Sequence, residues 1–229
     1  MAKKILIVED DRSLASVLEY NFESAGYDVY CAHDGQDALN QARSKNPDVI
    51  ILDLMIPVVD GIEVCRQLRS ESATRQTPIM MLTAKAEETD QLIGFSVGAD
   101  DYVVKPFSVR VLLERVKSLC RRNERFQTGG SDLISSGGIS IDRLKHRASI
   151  DGSPIDLTPS EFRLLDTLIR NAGRAFDRME LIESALGGDT LVSERTIDVH
   201  VRSLRKKMGH LAEYIQTVRG VGYRFREPS

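Results

Sequence analysis

Cysteine is scarce and scattered in this 229-residue chain, and tryptophan is missing altogether. The three cysteines, Cys31, Cys65 and Cys120, are odd in number and far apart, with no Cys-x-x-Cys pair. That pattern argues against a disulfide framework or thiolate zinc site and fits reduced packing residues in a reducing compartment. No apolar run approaches the roughly 18 residues of a membrane span. The start, Met1-Ala2-Lys3-Lys4, feeds a short apolar strand instead of a signal-peptide core. A cytoplasmic protein with no membrane role is expected. There is no Walker A loop to hold ATP.

What is there is enough apolar residue, 41%, for real cores, and a length that favours two domains over one. The formal charge of -3 hides an asymmetry. Residues 1–122 carry 15 basic and 19 acidic side chains, whereas 123–229 carry 16 and 15. Between Arg195 and Arg226, eight basic residues face only Asp198 and Glu213, which is a candidate nucleic-acid footprint.

The first half alternates strand and helix. Lys4 to Val8, Val29 to Ala32, Val49 to Leu52, Ile79 to Leu82 and Tyr102 to Val104 read as buried strands. Between and after them, helical spacing predicts helices ending at Gly26, over Gly35 to Lys45, Gly61 to Arg69 and Glu88 to Val97, and after Ser108. Five strands alternating with five helices imply an α/β doubly wound, five-stranded parallel sheet. Glu9, Asp10, Asp53, Thr83 and Lys105 each follow a strand closely, and right-handed crossovers gather such residues at one C-terminal edge. Any one of them alone reads as a solvated loop residue; convergence of all five favours a site. Carboxylates so close repel unless a divalent cation and an ammonium sit among them, and oxygen ligands favour Mg²⁺. Glu9-Asp10-Asp11 offers three acids, of which the strand register favours the first two. A carboxylate such as Asp53 attacks phosphorus without a general base, and with no ATP loop the phosphoryl group should come from a donor protein.

These residues closely resemble a response-regulator receiver domain. The resemblance implies a flavodoxin-like fold over 1–122, Asp53 as phosphoacceptor, Lys105 as charge partner followed by a cis Pro106, and Thr83 with Tyr102 as switch residues. It implies metal ligation by Asp10, Asp53 and the Met55 carbonyl, with Glu9 acting through water. It also implies pairing of two receivers through helix four, strand five and helix five, with Asp100, Asp101, Arg115 and Arg122 as candidate interfacial charges. Gln91 and Val111 stand where relatives commonly carry a basic residue and a Glu.

Residues 123–136, rich in Gly and Ser, read as a flexible linker, and 137–229 as a second domain. Short strands at Ile139 to Asp142, Arg147 to Ile150 and Ile155 to Leu157 suggest an antiparallel platform with an Asp151-Gly152 turn. Thr158-Pro159-Ser160-Glu161 is a capping box opening an amphipathic helix. A second helix covers Arg178 to Leu186, a third follows Ser193-Glu194, and a hairpin flanks Arg219-Gly220-Val221-Gly222. This order resembles the α+β winged helix-turn-helix domain of OmpR/PhoB-type regulators. The most specific matches are Thr196 to Arg202 and Thr217 to Phe225. The resemblance implies binding to double-stranded DNA through Arg195, Thr196, His200, Arg202, Ser203, Arg205 and Lys206 on the third helix, with Arg219 on the wing. His200 reads equally well as a helix-packing residue, Lys207 as a solvated charge, and Tyr223 and Phe225 as wing core. Leu186 stands where many relatives carry a Trp ahead of the loop.

The expectation is a phosphorylation-activated transcription factor. A sensor histidine kinase would donate phosphate to Asp53, paired receivers would bring tethered winged helices to direct-repeat promoter sites, and RNA polymerase would be the downstream partner. It is not expected to be an enzyme. An aspartate-nucleophile phosphatase would need a further acid or base and a lid, neither of which is evident. A phosphorylation-independent architectural protein would be marked by loss of Asp53 or Lys105, and both are present.

Overall fold

The computed structural model describes residues 2–84, 94–125, 133–187 and 194–227. The chain divides into two compact units, Met1–Cys120 and Arg121–Ser229. In the first, β1 (Lys4–Val8), β2 (Asp28–Ala32), β3 (Val49–Asp53), β4 (Ile79–Thr83) and β5 (Asp101–Val104) form one parallel sheet in the order β2-β1-β3-β4-β5. The order reverses direction between β1 and β3, which is where doubly wound sheets open a crevice at the strand C-termini.

The strands read as continuous apolar runs because both faces are covered. Ile7, Ile51, Met80 and Leu82 join Leu18 and Phe22 of α1 (Arg12–Ser24) and Leu112, Val116 and Leu119 of α4 (Val109–Arg125) in one cluster. The alternating residues Leu6, Ile50, Leu52 and Met81 are also fully buried, as are Leu39 of α2 (Gly35–Lys45) and Leu68 of α3 (Gly61–Ser70). Burial on this scale contributes roughly 1.5–3 kcal/mol for each large apolar side chain. Asp11, Asp34 and Asp60 cap α1, α2 and α3 by accepting backbone N–H groups. The helix expected at Glu88 to Val97 lies outside the described residues up to position 93, and Gly94 to Ser96 are helical.

The second unit opens with a four-stranded antiparallel sheet, β6 (Leu133–Ser136), β7 (Ile139–Asp142), β8 (Arg147–Ile150) and β9 (Ser153–Ile155). The linker assignment of 123–136 is therefore corrected at both ends. Helix α4 continues to Arg125, and Leu133–Ser136 is a strand whose Ser-rich sequence hid its pairing with β7. Residues 126–132 lie outside the described residues. Helix α5 (Pro159–Arg170) begins with the expected capping box. Strand β10 (Ala175–Asp177) is followed by α6 (Arg178–Leu181), which passes into a π-helical turn at Ile182–Gly187, so the expected second helix is α-helical only at its start. Helix α7 (Arg195–Met208) leads to the hairpin β11 (Ile215–Val218) and β12 (Gly222–Phe225), and β12 pairs on its other edge with β10. Leu164, Leu168, Leu181, Ile197, Val201 and Phe225 belong to one core cluster.

Candidate functional site

Strands β1 and β3 end side by side, with Val8 opposite Leu52, and this register fixes the first group of side chains. Carboxylate oxygens of Glu9, Asp10 and Asp53 all lie within 4.8 Å of one another. Glu9 and Asp53 are buried, whereas Asp10 faces solvent. Asp11 is committed elsewhere as the cap of α1, accepting from the N–H groups of Ser13 and Leu14 at 2.8 and 3.2 Å, so the adjacent triplet divides between site and helix.

Lys105 enters from the end of β5. Its Nζ donates to Asp53 Oδ2 at 2.5 Å and to Glu9 Oε2 at 2.7 Å, while its N–H donates to the Thr83 carbonyl at 2.7 Å. The peptide bond to Pro106 is cis. Burial pulls the Lys105 ammonium down, but the hydrogen bonds and charges of Asp53 and Glu9 outweigh it and raise its pKa. Burial raises Glu9 above its ordinary value, aided by the Asp53 charge and opposed by the bond from Lys105. One ammonium between two carboxylates is the compensation that the sequence required. The donors are all hard oxygens in one recess, a set suited to Mg²⁺ and unsuited to soft metals.

The Met55 N–H donates to Asp53 Oδ1 at 2.9 Å, so both carboxylate oxygens have defined partners. Thr83, at the end of β4, is buried beside this edge. Tyr102 is buried one strand over, with its ring centroid 6.2 Å from that of Phe95. Gly94 lets it pack there, since a Cβ at that position would meet Met81 Sδ at 2.9 Å and Tyr102 Cε2 at 3.0 Å.

Three features of the recess escape a reading of residue types. A Cβ at Gly61 would stand 2.3 Å from the Asp53 carbonyl oxygen, so α3 can start this close only with glycine. Val58, a β-branched residue at φ 71, is held in a strained left-handed conformation on the exposed loop after Asp53. His33 is bonded through Nδ1 to the Glu9 carbonyl at 2.9 Å and braces Glu9 from the end of β2.

Of the expected interfacial charges, Asp100, Asp101 and Arg115 are buried and paired within the chain. Asp100 is buried and accepts from Arg69 Nη2 at 2.8 Å and from the Ile79 N–H at 3.0 Å. Asp101 is buried and accepts from Arg115 Nη1 at 3.0 and 3.1 Å. These are ion pairs made inside one chain rather than surface charges. Val111 is exposed; Gln91 and the side chain of Arg122 lie outside the described residues.

The second group of functional residues is organised around α7, whose 3.6-residue repeat gives it four distinct sides. Ile197, Val201, Leu204 and Met208 face the core. Arg195, Arg202 and Lys206, spaced by seven and four, form one exposed stripe, and Arg219 is exposed at the tip of the β11–β12 hairpin. Thr196, His200, Ser203 and Lys207 form a third side, from which Ser203 and Lys207 reach Glu161 of α5. Thr196 and His200 are 1% and 2% exposed, Ser203 Oγ donates to Glu161 Oε1 at 2.6 Å, and Lys207 Nζ lies 2.6 Å from Glu161 Oε2. Thr196 and His200, expected at the DNA, are buried instead, and Ser203, also expected there, is half-buried and bonded to α5. Lys207 is exposed, as expected of a solvated charge, and it also pairs with Glu161.

Glu161 thus serves two structures at once. It completes the capping box by accepting from the Thr158 N–H at 2.8 Å, and it anchors α7. Arg205 occupies the fourth side of α7, donating to the Ile215 carbonyl at 3.1 and 2.6 Å and to Thr217 Oγ1 at 3.0 Å, so it too is turned toward the protein. Tyr223 is buried in the wing as expected; burial and then the bond to Asp198 raise its pKa.

An acidic recess with a lysine at the switch point of a parallel sheet, followed in the same chain by a winged helix with a basic stripe, defines a two-domain signalling regulator. Residues 5–117 match the response regulator receiver domain, and residues 152–225 match the transcriptional regulatory protein C-terminal domain. The chain is 42% identical over 233 residues to the phosphate regulon transcriptional regulatory protein PhoB of Pseudomonas aeruginosa, covering 100% of both chains. It is 43% identical over 239 residues to the alkaline phosphatase synthesis transcriptional regulatory protein PhoP of Bacillus subtilis, covering 100% of this chain and 98% of that one. Among solved structures, a mutant of RitR matches with a TM-score of 0.81 at 27% identity, covering 99% of this chain and 100% of that one. The chain belongs to the OmpR/PhoB family of two-component response regulators.

Proposed function

We propose that Asp53 accepts a phosphoryl group from a sensor histidine kinase and that this controls binding of the second unit to promoter DNA. The observation that carries the reading is the placement of Lys105 Nζ, 2.5 Å from Asp53 and 2.7 Å from Glu9, within a three-carboxylate recess. An Asp53 carboxylate oxygen bonds to phosphorus as the bond from phosphorus to the donor's histidine nitrogen breaks, and the electron pair remains on the imidazole. Lys105 faces the charge that develops on the phosphoryl oxygens, so the residues act by position and electrostatics. Glu9, Asp10, Asp53 and the Met55 carbonyl are the proposed holders of Mg²⁺, which when bound supplies further neutralisation of phosphoryl charge. Thr83 and Tyr102 would report phosphorylation by repacking around the added charge and acceptor oxygens.

The output in this reading is pairing of two receivers through the segment before β5, β5 itself and α4. Asp101 and Arg115 belong to that face, and using them between protomers requires exchanging the pair they make within one. Units 1–122 and 137–229 are the proposed working domains, tethered so that receiver pairing raises the local concentration of the second DNA reader over direct-repeat sites. Arg195, Arg202, Lys206 and Arg219 are the proposed DNA contacts, and RNA polymerase is the proposed downstream partner. Incubating the full chain with acetyl phosphate and Mg²⁺ and measuring the intact mass tests the first step. One phosphoryl group is expected on wild type and none on Asp53→Asn; equal labelling of both would remove Asp53 from the role.

A further inference from the structure

The side of α7 that faces the wing carries a polar clamp that no feature of the basic stripe requires. Asp198, in the first turn of α7, accepts through Oδ1 from the Tyr223 hydroxyl at 2.8 Å and from Arg178 Nε at 2.8 Å. The Arg178 guanidinium also stands over the Tyr223 ring, 5.4 Å from its centroid. Arg205 stands 5.6 Å from the same centroid and ties itself to Ile215 and Thr217 of β11. One tyrosine of the wing is thereby packed against two guanidiniums and held at its hydroxyl by a carboxylate of α7.

The position of this clamp around α7 gives it a consequence. Asp198 and Arg205 are seven residues apart, so they share a side about two turns long. At 100° per residue, that side lies roughly 60–80° around the helix from the stripe of Arg195, Arg202 and Lys206. The strands that hold Tyr223, Ile215 and Thr217 are the two arms of the hairpin whose tip carries Arg219. Tyr223 lies in the register pair opposite Thr217, so both arms are gripped at one level, below the tip. Arg178 brings in a third element, α6, which begins where β10 ends against β12.

We infer that Asp198, through Tyr223 and Arg178, is a positioning residue for DNA recognition: it fixes the wing-tip Arg219 relative to the major-groove stripe of α7, so that one binding event engages both. The inference rests on the proposed DNA contacts of Arg202 and Arg219. Asp198 itself touches no DNA in this scheme. It sets the geometry in which two contacts act together, and removing it uncouples them.

A double-mutant cycle on the full chain separates this from a general structural role. The probe is a duplex selected from a random pool by the wild-type protein, with dissociation constants measured at several salt concentrations. In wild type, Arg219→Ala should weaken binding about tenfold, at the lower end of the effect of a single specific contact. In Tyr223→Phe, which keeps the ring beside both guanidiniums and removes only the hydroxyl, and in Asp198→Ala, the same Arg219→Ala change should weaken binding less than about twofold, because the wing is no longer held in register. Arg202→Ala should retain its effect in all backgrounds. If Arg219→Ala costs the same factor with and without the clamp, the positioning role of Asp198 is overturned while the DNA contacts stand. If Arg219→Ala changes nothing even in wild type, the wing contact fails and the inference falls with it. Tyr223→Phe keeps the test usable should Asp198→Ala fail to fold.

Discussion

Replacing Lys105 by methionine removes the ammonium with which it bridges Glu9 and Asp53 while keeping the length of the side chain. At 4.8 Å, the outer limit of the separations in the recess, two carboxylates at an effective dielectric constant near 20 repel by about 3 kcal/mol. Lys105 is 23% exposed and Asp10 faces solvent, so screening reduces what reaches the folding equilibrium. A loss of about 1–3 kcal/mol of stability at neutral pH is expected without divalent cation. Glu9 supplies the pH dependence. Its folded pKa is raised, so its contribution is fully present below the ordinary value of 4.5 and is lost as pH rises through the folded value. Lys105→Met removes a bond that lowers this pKa, so the deficit of the variant should narrow as pH falls from neutral. Saturating Mg²⁺ should narrow it as well. Urea unfolding of both proteins across pH, with and without Mg²⁺, measures all three effects. A deficit that neither acid nor Mg²⁺ reduces would mean that Lys105 acts by packing, and the electrostatic account of the recess would be wrong.

Arg69 donates to the carbonyls of Gly98, Arg75 and Thr77 as well as to Asp100, all in a largely buried setting, so Arg69→Ala should destabilise the first unit by about 3–5 kcal/mol in urea unfolding. Glu161→Ala removes a cap and the anchor of Ser203 and Lys207 together. A loss of about 2 kcal/mol in the second unit is expected, read as a lower Tm, with weaker DNA binding as α7 loosens. His146 stacks on Phe162 with centroids 4.8 Å apart, and burial, followed by the charge of Arg163, lowers its pKa. A base with a lowered folded pKa contributes stability that is present above its unfolded value of 6.5 and lost as pH falls through the folded value. His146→Asn, which suits the left-handed backbone there at φ 48, should therefore flatten the acid limb of a stability-against-pH curve; an unchanged limb would assign that limb to other groups.

How much of this the sequence disclosed depended on whether function and pattern shared a period. The five buried strands carry uninterrupted apolar runs, so their C-terminal ends, and with them Glu9, Asp10, Asp53, Thr83 and Lys105, could be placed on one edge. Strand β6 carries Leu133-Ile134-Ser135-Ser136 and β10 only three residues, too short or too polar for a period to emerge, and both were missed. Charge was the weaker guide. Asp100, Asp101, Arg205 and Lys207 read as surface groups because charged residues usually are, and only tertiary placement shows each satisfied by a partner from another element. Conversely, the bend of α6 into a π-helical turn at Ile182–Gly187 leaves no trace in a helical pattern that continues to Leu186. The clamp of Asp198, Tyr223 and Arg178 lies across separations of 20 and 25 residues and has no local signature.

Control of DNA binding in the second unit by phosphate on Asp53 is the step on which the proposed function stands. Its most direct measurement is the affinity of the full chain for a duplex selected from a random pool, before and after treatment with acetyl phosphate and Mg²⁺, for wild type and Asp53→Ala in parallel. Treatment should tighten binding of wild type and leave Asp53→Ala unchanged. An equal gain in both proteins, or none in a wild type shown by mass to be phosphorylated, would contradict it.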